Sequence, residues 1–188
     1  GYGDPIQKLF KFDDGERVIA AFSLDPRLPR PENLIAVSRR GFGLRFALAP
    51  HAEISTRSGR RYARPAKDDE LLGVSPVGEK DLLTVVTEKT YALVCKASEV
   101  NELSGPGKGV VVIKLAPDDK VMAFLVGAKK DGLLELELET EKGRTLSLSP
   151  GKYEVSARGG KGREMSKKDR VKGVSMPIQW VPLPEKSN

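Results

Sequence analysis

Polar and apolar residues along this chain follow the period of strands, and no segment offers 12 residues of helical apolar periodicity. Leu133 to Glu139 is the plainest case: Leu and Glu alternate, which buries one face of a strand and solvates the other. Val110 to Leu115 and Val121 to Val126 are continuous apolar or β-branched runs bounded by Gly and by Pro117-Asp118-Asp119, as buried strands are. Tyr91 to Cys95 and Arg144 to Leu148 follow short turns after a preceding strand, which predicts hairpins. Prolines 50, 65, 106, 117, 150 and 177 fall between or at the ends of these runs, where they cost no ladder hydrogen bond. Residues 97–103 are expected to form at most a short turn. The pattern predicts an all-β protein.

The strands recur in a repeat. Leu34 to Val77, Leu82 to Val126 and Leu133 to Ile178 carry the same four landmarks in the same order. An apolar strand opens each unit. A charged turn follows: Arg39-Arg40-Gly41, Glu88-Lys89-Thr90 and Glu141-Lys142-Gly143. Then comes a Gly followed by a base, at Gly59-Arg60, Gly107-Lys108 and Gly160-Lys161, and finally an acidic turn at Asp69, Asp119 and Asp169. Residues 1–24 align with the second half of such a unit, with strands expected at Ile6 to Phe12 and Val18 to Leu24 around the Asp13-Asp14-Gly15 turn. Four short strands per roughly 50 residues, repeated, mean a propeller-like array or a solenoid whose units bury their faces against one another. The expected layout is one domain over 1–184, made of a half repeat at 1–32 and repeats at 33–80, 81–131 and 132–184. Residues 185–188 form a tail, and the Pro-rich stretch Asp25 to Asn33 is a surface connection.

Composition excludes more than it selects. The 188 residues contain one His and one Cys, so His51 and Cys95 support neither a His-rich metal site, nor a disulfide, nor a Cys-x-x-Cys knuckle. Both are expected to be ordinary core or rim residues. No apolar run reaches the roughly 18 residues of a membrane span, and no signal peptide is visible. The chain opens Gly1-Tyr2-Gly3-Asp4 without Met, which reads as an excised fragment. The net charge of +6 points weakly to a polyanion.

Placed on the repeats, that charge becomes specific. Bases gather at one place in each unit: Arg57, Arg60, Arg61 and Arg64 in the first, Lys108 and Lys114 in the second. The third has Arg158, Lys161, Arg163, Lys167, Lys168, Arg170 and Lys172. Equivalent loops of a blade array project along one edge, so these bases should form a curved stripe that holds a phosphate backbone without reading bases. Glycines beside them, Gly159, Gly160 and Gly162 above all, let backbone N–H groups approach phosphates. Glu135, Glu137 and Glu139 line one strand face that should turn away from the stripe. The middle repeat, with Glu88, Glu99 and Glu102, should hold DNA least well.

The repeats resemble a known family. Apolar strand, Thr/Ser-x-Lys-Gly turn, strand, Gly-Lys-Gly, apolar strand, Asp turn and strand are the units of the C-terminal domain of the A subunit of bacterial type IIA topoisomerases, DNA gyrase and topoisomerase IV. Arg158-Gly159-Gly160-Lys161-Gly162 is similar to the family's basic Gly-rich box, and Pro5-Ile6-Gln7-Lys8-Leu9-Phe10 fits the half unit. The box follows Ser156-Ala157 instead of Gln-Arg and sits in the last repeat, a departure that leans toward a topoisomerase IV-like subunit or a divergent gyrase. The resemblance implies a β-pinwheel: a propeller-like array of four-stranded blades with strand exchange, here about four blades, in an array that closes or stays open. It implies a non-catalytic domain that binds and bends or wraps duplex DNA along a basic rim. Arg39, Arg40, Arg57, Arg60, Arg61, Arg64, Lys108, Lys114, Arg158 to Arg163, Lys167 and Lys168 are its candidate contacts. It further implies an ATP-dependent topoisomerase whose nucleophilic Tyr lies outside this chain. The partners would be the rest of the A subunit, which in turn brings the ATPase B subunit, in a bacterial, nucleoid-associated cytoplasmic setting. The fragment itself is expected to be monomeric and to need no cofactor. The remaining one or two blades would lie upstream of Gly1.

Other motifs dissolve. Gly107-Lys108 and Gly160-Lys161 are not P-loops, because Glu102 and Val155 stand where the first Gly belongs and no Ser or Thr follows the Lys. Arg61-Tyr62 reads as a structural tyrosine. Asp68-Asp69 and Asp118-Asp119 read as turn residues and not as a metal site. Trp180 is expected to pack over the last blade. The competing class is a propeller-like protein-interaction scaffold whose basic loops are only a solvated surface. An enzyme in its own right lacks a pair of acid/base groups in a pocket-like setting.

Overall fold

The computed structural model describes residues 3–8, 10, 12–53, 59–128 and 135–175. Among them there is no α-helix, only strands and four single-turn 3-10 segments. The first repeat supplies β1 (Asn33–Ser38), β2 (Phe42–Ala47) and β3 (Leu71–Val77); the second supplies β4 (Leu82–Thr87), β5 (Tyr91–Lys96), β6 (Val110–Val111) and β7 (Val121–Gly127). The third supplies β8 (Leu136–Thr140), β9 (Thr145–Leu148), β10 (Arg163–Glu164) and β11 (Val171–Ser175). These make three antiparallel sheets, ordered β3-β1-β2-β6, β10-β5-β4-β7 and β11-β8-β9.

The order shows the joint between blades. The fourth strand of each of the first two sheets comes from the following repeat: β6 pairs with β2 of the first blade, and β10 with β5 of the second. The pairing lasts two residues in each case, opposite Phe42-Gly43 and Tyr91-Ala92. It demands a very close backbone approach just before it. At Gly109 (φ +81°) a Cβ would stand 2.2 Å from the Gly43 carbonyl oxygen, and at Gly162 (φ +75°) 2.7 Å from that of Ala92. Only Gly meets both the left-handed backbone and the contact. Past the joint, the Val112 N–H donates to the Gly41 carbonyl and the Met165 N–H to the Thr90 carbonyl, which ties each exchanged segment to the preceding blade's turn.

Blades stack through alternating faces. Leu83 and Val85 of β4 face the first blade, in a cluster with Ile35, Val37, Cys95, Ile113 and Phe124. Val86 of the same strand packs with Leu125, Leu136, Leu138, Leu148 and Val171 of the second and third blades. A strand clamped on both faces is buried throughout, as β4 is from Leu82 to Thr87. In β8 the alternation is one-sided: Leu136 and Leu138 are buried while Glu137 and Glu139 are exposed.

The repeats, the hairpins and the short turn at residues 97–99 appear as the pattern predicts. Three details differ. Ile6 to Phe12 and Val18 to Leu24 carry no strand among the described residues; Ile6–Lys8 is a 3-10 turn, and Phe22 packs on the outer face of the first blade without a ladder. Val110 to Leu115 is cut to a two-residue strand, because the chain leaves β2 to cross into its own blade. The third landmark also shifts register: Ala63 bridges Gly107 as Ile113 bridges Gly160, so Gly59, with left-handed backbone, matches Gly109 and not Gly107. Leu133, the expected start of the third unit, lies outside the described residues.

Substituting the joint glycines tests this account. Gly109→Ala combines a left-handed penalty with a backbone clash and should lose about 3 kcal/mol or more in urea unfolding. Gly143→Ala, at φ +71° with nothing within 4 Å of the added Cβ, should lose only about 1–2 kcal/mol.

Candidate nucleic-acid interface

Every blade holds its first turn by one device. A hydroxyl at the end of the first strand accepts the N–H four residues on: Ser38 Oγ from Phe42 (3.2 Å), Thr87 Oγ1 from Tyr91 (3.2 Å) and Thr140 Oγ1 from Arg144 (3.1 Å). The Asp of the acidic turn reaches back to the same place. Asp69 accepts from the Ser38 hydroxyl (2.7 Å) and the Arg40 N–H (3.0 Å), and Asp119 accepts from the Lys89 N–H (3.0 Å). Asp169 accepts from the N–H groups of Arg170 and Lys142 and from Thr140. Burial pushes the Asp169 carboxyl up, but those donors outweigh it and hold the carboxyl below its ordinary value. Of the paired acids of the sequence, Asp69 and Asp119 lock the turns, while Asp68 and Asp118 are ion-paired with Arg40 and Lys89.

Several predicted bases turn out to be structural. Arg39 is ion-paired with Glu70 and reaches the Val121 carbonyl, and Arg40 is ion-paired with Asp68. Arg158 is drawn inward: its N–H donates to Glu99 Oε2 (3.0 Å), its Nε to the Glu99 carbonyl (2.7 Å) and an Nη to the Val111 carbonyl (3.1 Å). The first residue of the basic box therefore braces two repeats. Lys108 sits over the Phe42 ring with Nζ 4.0 Å from its centroid, and Lys161 over the Tyr91 ring at 6.0 Å. These are equivalent positions, so each exchanged segment adds a cation–π contact to the aromatic that opens the preceding blade's second strand, worth about 0.5–1 kcal/mol at an exposed site. The acid beside them is just as structural: the Lys89 ammonium, with Arg170 behind it, holds the Asp118 carboxyl below the usual carboxylate range.

The remaining bases, together with Lys108 and Lys161 despite their ring contacts, are exposed and lie in order. Ala63 forms a parallel bridge with Gly107, and the Arg64 N–H donates to the Gly107 carbonyl at 2.8 Å. One repeat later Ile113 bridges Gly160, and the Lys114 N–H donates to the Gly160 carbonyl, again at 2.8 Å. These contacts lay the basic segments of successive repeats side by side: Arg60, Arg61 and Arg64, then Lys108 and Lys114, then Lys161 and Arg163. Lys167 and Lys168 follow in the third, both exposed. Gly159 and Gly162 serve the joint, Gly159 through an N–H to the Val112 carbonyl and Gly162 through the close approach to Ala92. Arg57 and Trp180 lie outside the described residues.

Arg60 and Arg61 also border a cavity of about 490 Å³ beside an aromatic group. Tyr62 stacks on Phe46 at 4.5 Å, with the His51 ring edge-on to both. Burial, then the Arg60 charge, lowers the His51 pKa, and burial raises that of Tyr62. Tyr62 is the structural tyrosine that the sequence predicts. Cys95 is a core residue whose thiol is pushed up to about 12, first by burial and then by Glu99, with Arg158 opposing.

A row of antiparallel blades, the first two each completed by a strand of the following repeat and edged with basic segments, is the architecture of a β-pinwheel. Residues 81–127, the second blade, match the DNA gyrase C-terminal domain, β-propeller family. The chain is 29% identical over 125 residues to the DNA gyrase A subunit of Lawsonia intracellularis (strain PHE/MN1-00), a stretch covering 66% of this chain and 15% of that protein. It superposes on the C-terminal domain of DNA topoisomerase IV with a TM-score of 0.79 at 19% identity, covering 94% of this chain and 55% of that one. For the E. coli ParC C-terminal domain the TM-score is 0.71 at 18% identity, covering 95% and 72%. For a DNA gyrase A C-terminal domain it is 0.56 at 14% identity, covering 94% and 76%. The likeness to the C-terminal domain of the topoisomerase A subunit, read from the repeats, is borne out in sequence and in fold.

The carboxylates of the acidic turns give an acid test. Asp118 and Asp169 are depressed in the folded domain, so the unfolded chain takes up their protons first, near pH 3.9. The stability they contribute is complete above that value and is lost as pH falls through the lower folded values. The urea midpoint should stay level from pH 7 to about 5 and drop below about pH 4. Asp169→Asn should lower the midpoint at pH 7 and make the acid drop shallower.

Proposed function

We propose that this domain binds duplex DNA along the edge formed by its adjacent basic segments and bends it, as a non-catalytic part of a type IIA topoisomerase A subunit. The observation that carries this reading is the pair of backbone contacts, Arg64 to Gly107 and Lys114 to Gly160, that line up one basic segment with the next. Exposed guanidinium and ammonium groups spaced along a curved row suit phosphates and offer no means of distinguishing base pairs. In this reading the exposed face of β8, with Glu137 and Glu139, turns away from that row.

In this reading the breakage nucleophile and the ATP-driven steps belong to other parts of the enzyme, including the ATPase B subunit. The domain supplies DNA geometry, as a monomeric module in the cytoplasm of a bacterium and on its nucleoid. Whether it wraps DNA as a gyrase does or bends it as a topoisomerase IV does is read by relaxing circular DNA in the presence of bound domain and counting supercoils after deproteinisation. A positive linking-number shift identifies wrapping, and binding without a shift identifies bending.

Salt and charge reversal test the interface. With about five phosphate contacts, affinity for a 40-base-pair duplex should fall about 10²–10³-fold between 50 and 200 mM salt, with little dependence on sequence. Arg64→Glu with Lys114→Glu should weaken binding at least about tenfold. Arg158→Glu should instead act mainly on thermal stability, because that side chain is spent on Glu99 and Val111. Absence of duplex binding at about 50 mM salt would leave a protein-binding scaffold as the function.

A further inference from the structure

In two of the three blades the base of the charged turn is neutralised by the acidic turn. Arg40 is ion-paired with Asp68, and Lys89 Nζ lies 2.6 Å from Asp118 Oδ1. The third blade has lysines at both positions. Lys142 matches Arg40 and Lys89, because its N–H is held by Asp169 as theirs are by Asp69 and Asp119. Lys168 matches Asp68 and Asp118: it directly precedes the lock Asp, and it shares the left-handed backbone of Asp118 (φ 54° against 60°). Where the other blades place an ammonium or guanidinium against a carboxylate, this one places two ammonium groups. Among the described residues neither is in an ion pair, and the carboxylate on which the Lys142 charge acts is Asp169, whose oxygens already serve the turn.

Both lysines line a cleft of about 440 Å³ between the second and third blades, with Tyr91 on its wall. The other charges there are mostly committed. Lys89 and Arg170 face Asp118 and Glu88, and the Asp169 oxygens hold the turn. Glu141 and Glu164 remain, against Lys142, Lys168 and the neighbouring exposed Lys167. We propose that Lys142 and Lys168 form a phosphate-binding site in the third blade, at the end of the basic row. The like charges repel when the site is empty, and a phosphate oxygen between them replaces the carboxylate that the sister blades carry. Lys142 is not among the bases that the sequence singles out, although its counterpart Arg40 is. As a contact to DNA the site rests on the proposed function; as a phosphate site it stands independently.

Lys168→Asp restores the sister blades' ion pair with a residue already accepted at that backbone conformation in the second blade. Lys152→Asp makes the same charge change on an exposed residue ion-paired with Glu135 and outside the cleft. The K168D domain should melt at or above the wild-type temperature, yet bind duplex at least about tenfold more weakly at 100 mM salt, with a salt slope lower by about one to two. K152D should change affinity less than about twofold. Should K168D fail to fold, K142Q is measured in its place. In parallel, pyrophosphate is titrated into the labelled wild-type domain, with saturable shifts expected at the Lys142 and Lys168 amides and their loss in K168D. A specific loss of duplex affinity identifies the DNA backbone as the phosphate source. Pyrophosphate shifts without that loss identify free phosphate. Equal behaviour of K168D and K152D toward duplex, together with no saturable shift, overturns the site while leaving the proposed function standing. If the wild type shows no salt-dependent duplex binding, the proposed function fails and the pyrophosphate arm alone decides the site.

Discussion

The approach of Gly109 to the Gly43 carbonyl, repeated by Gly162 at Ala92, is the constraint on which the rest of the molecule depends. A blade built only from its own repeat would have three strands and an open edge. By lending two residues to its neighbour, each repeat closes that edge and fixes where its own strands begin. The register of the exchange places Val112 and Ile113 in the core between the first and second blades, so the pairing and the hydrophobic burial reinforce each other. The same crossing sets one basic segment against the next. Packing and surface charge are therefore consequences of one backbone contact, not separate designs.

The turn lock lies beside this joint: in the first two blades the exchanged strand pairs with Phe42-Gly43 and Tyr91-Ala92, at the end of the locked turns. A hydroxyl, a turn and an Asp recur in all three units because the first hairpin ends against the following strand, where its N–H groups would otherwise lack partners. The charged residues around the lock are exchangeable in sign. Arg39 with Glu70 in the first blade becomes Glu88 with Lys120 in the second. Pairing is retained while the individual charges are not, as expected for exposed ion pairs of small individual worth. The exception, Lys142 with Lys168, stands out against that background.

Much of this architecture is legible in the chain itself. The Leu/Glu alternation of residues 136–139 fixes which face of the third blade is buried, and the three Asp landmarks mark the blade ends. The N-terminal stretch departs from its pattern for a physical reason. Ile19, Ala20, Ala21 and Phe22 have the apolar content of a strand, but a strand is made by a partner's hydrogen bonds, and none is supplied to them among the described residues. The site is only half legible. Arg158 and Lys161 share a motif that suits phosphate, yet what each touches depends on Glu99, Val111 and Tyr91, residues brought near by the exchange and invisible to local pattern. Sequence shows where bases cluster; only the fold shows which of them are already occupied.

That distinction changes how the modest excess of positive charge should be understood. Arg39, Arg40, Lys89 and Arg170 are cations held by carboxylates, and their contribution to the far field is largely cancelled. The field that a polyanion meets comes from the remainder, on the segments that lie side by side. A small net charge and a strongly cationic edge are compatible because the structural ion pairs remove equal numbers of both signs from the count. The grip on a phosphate backbone is then set less by how many bases a repeat contains than by how many its own turns leave unpaired. By that measure the third blade, with the basic row continuing into Lys167 and Lys168, is where the surface is most strongly cationic.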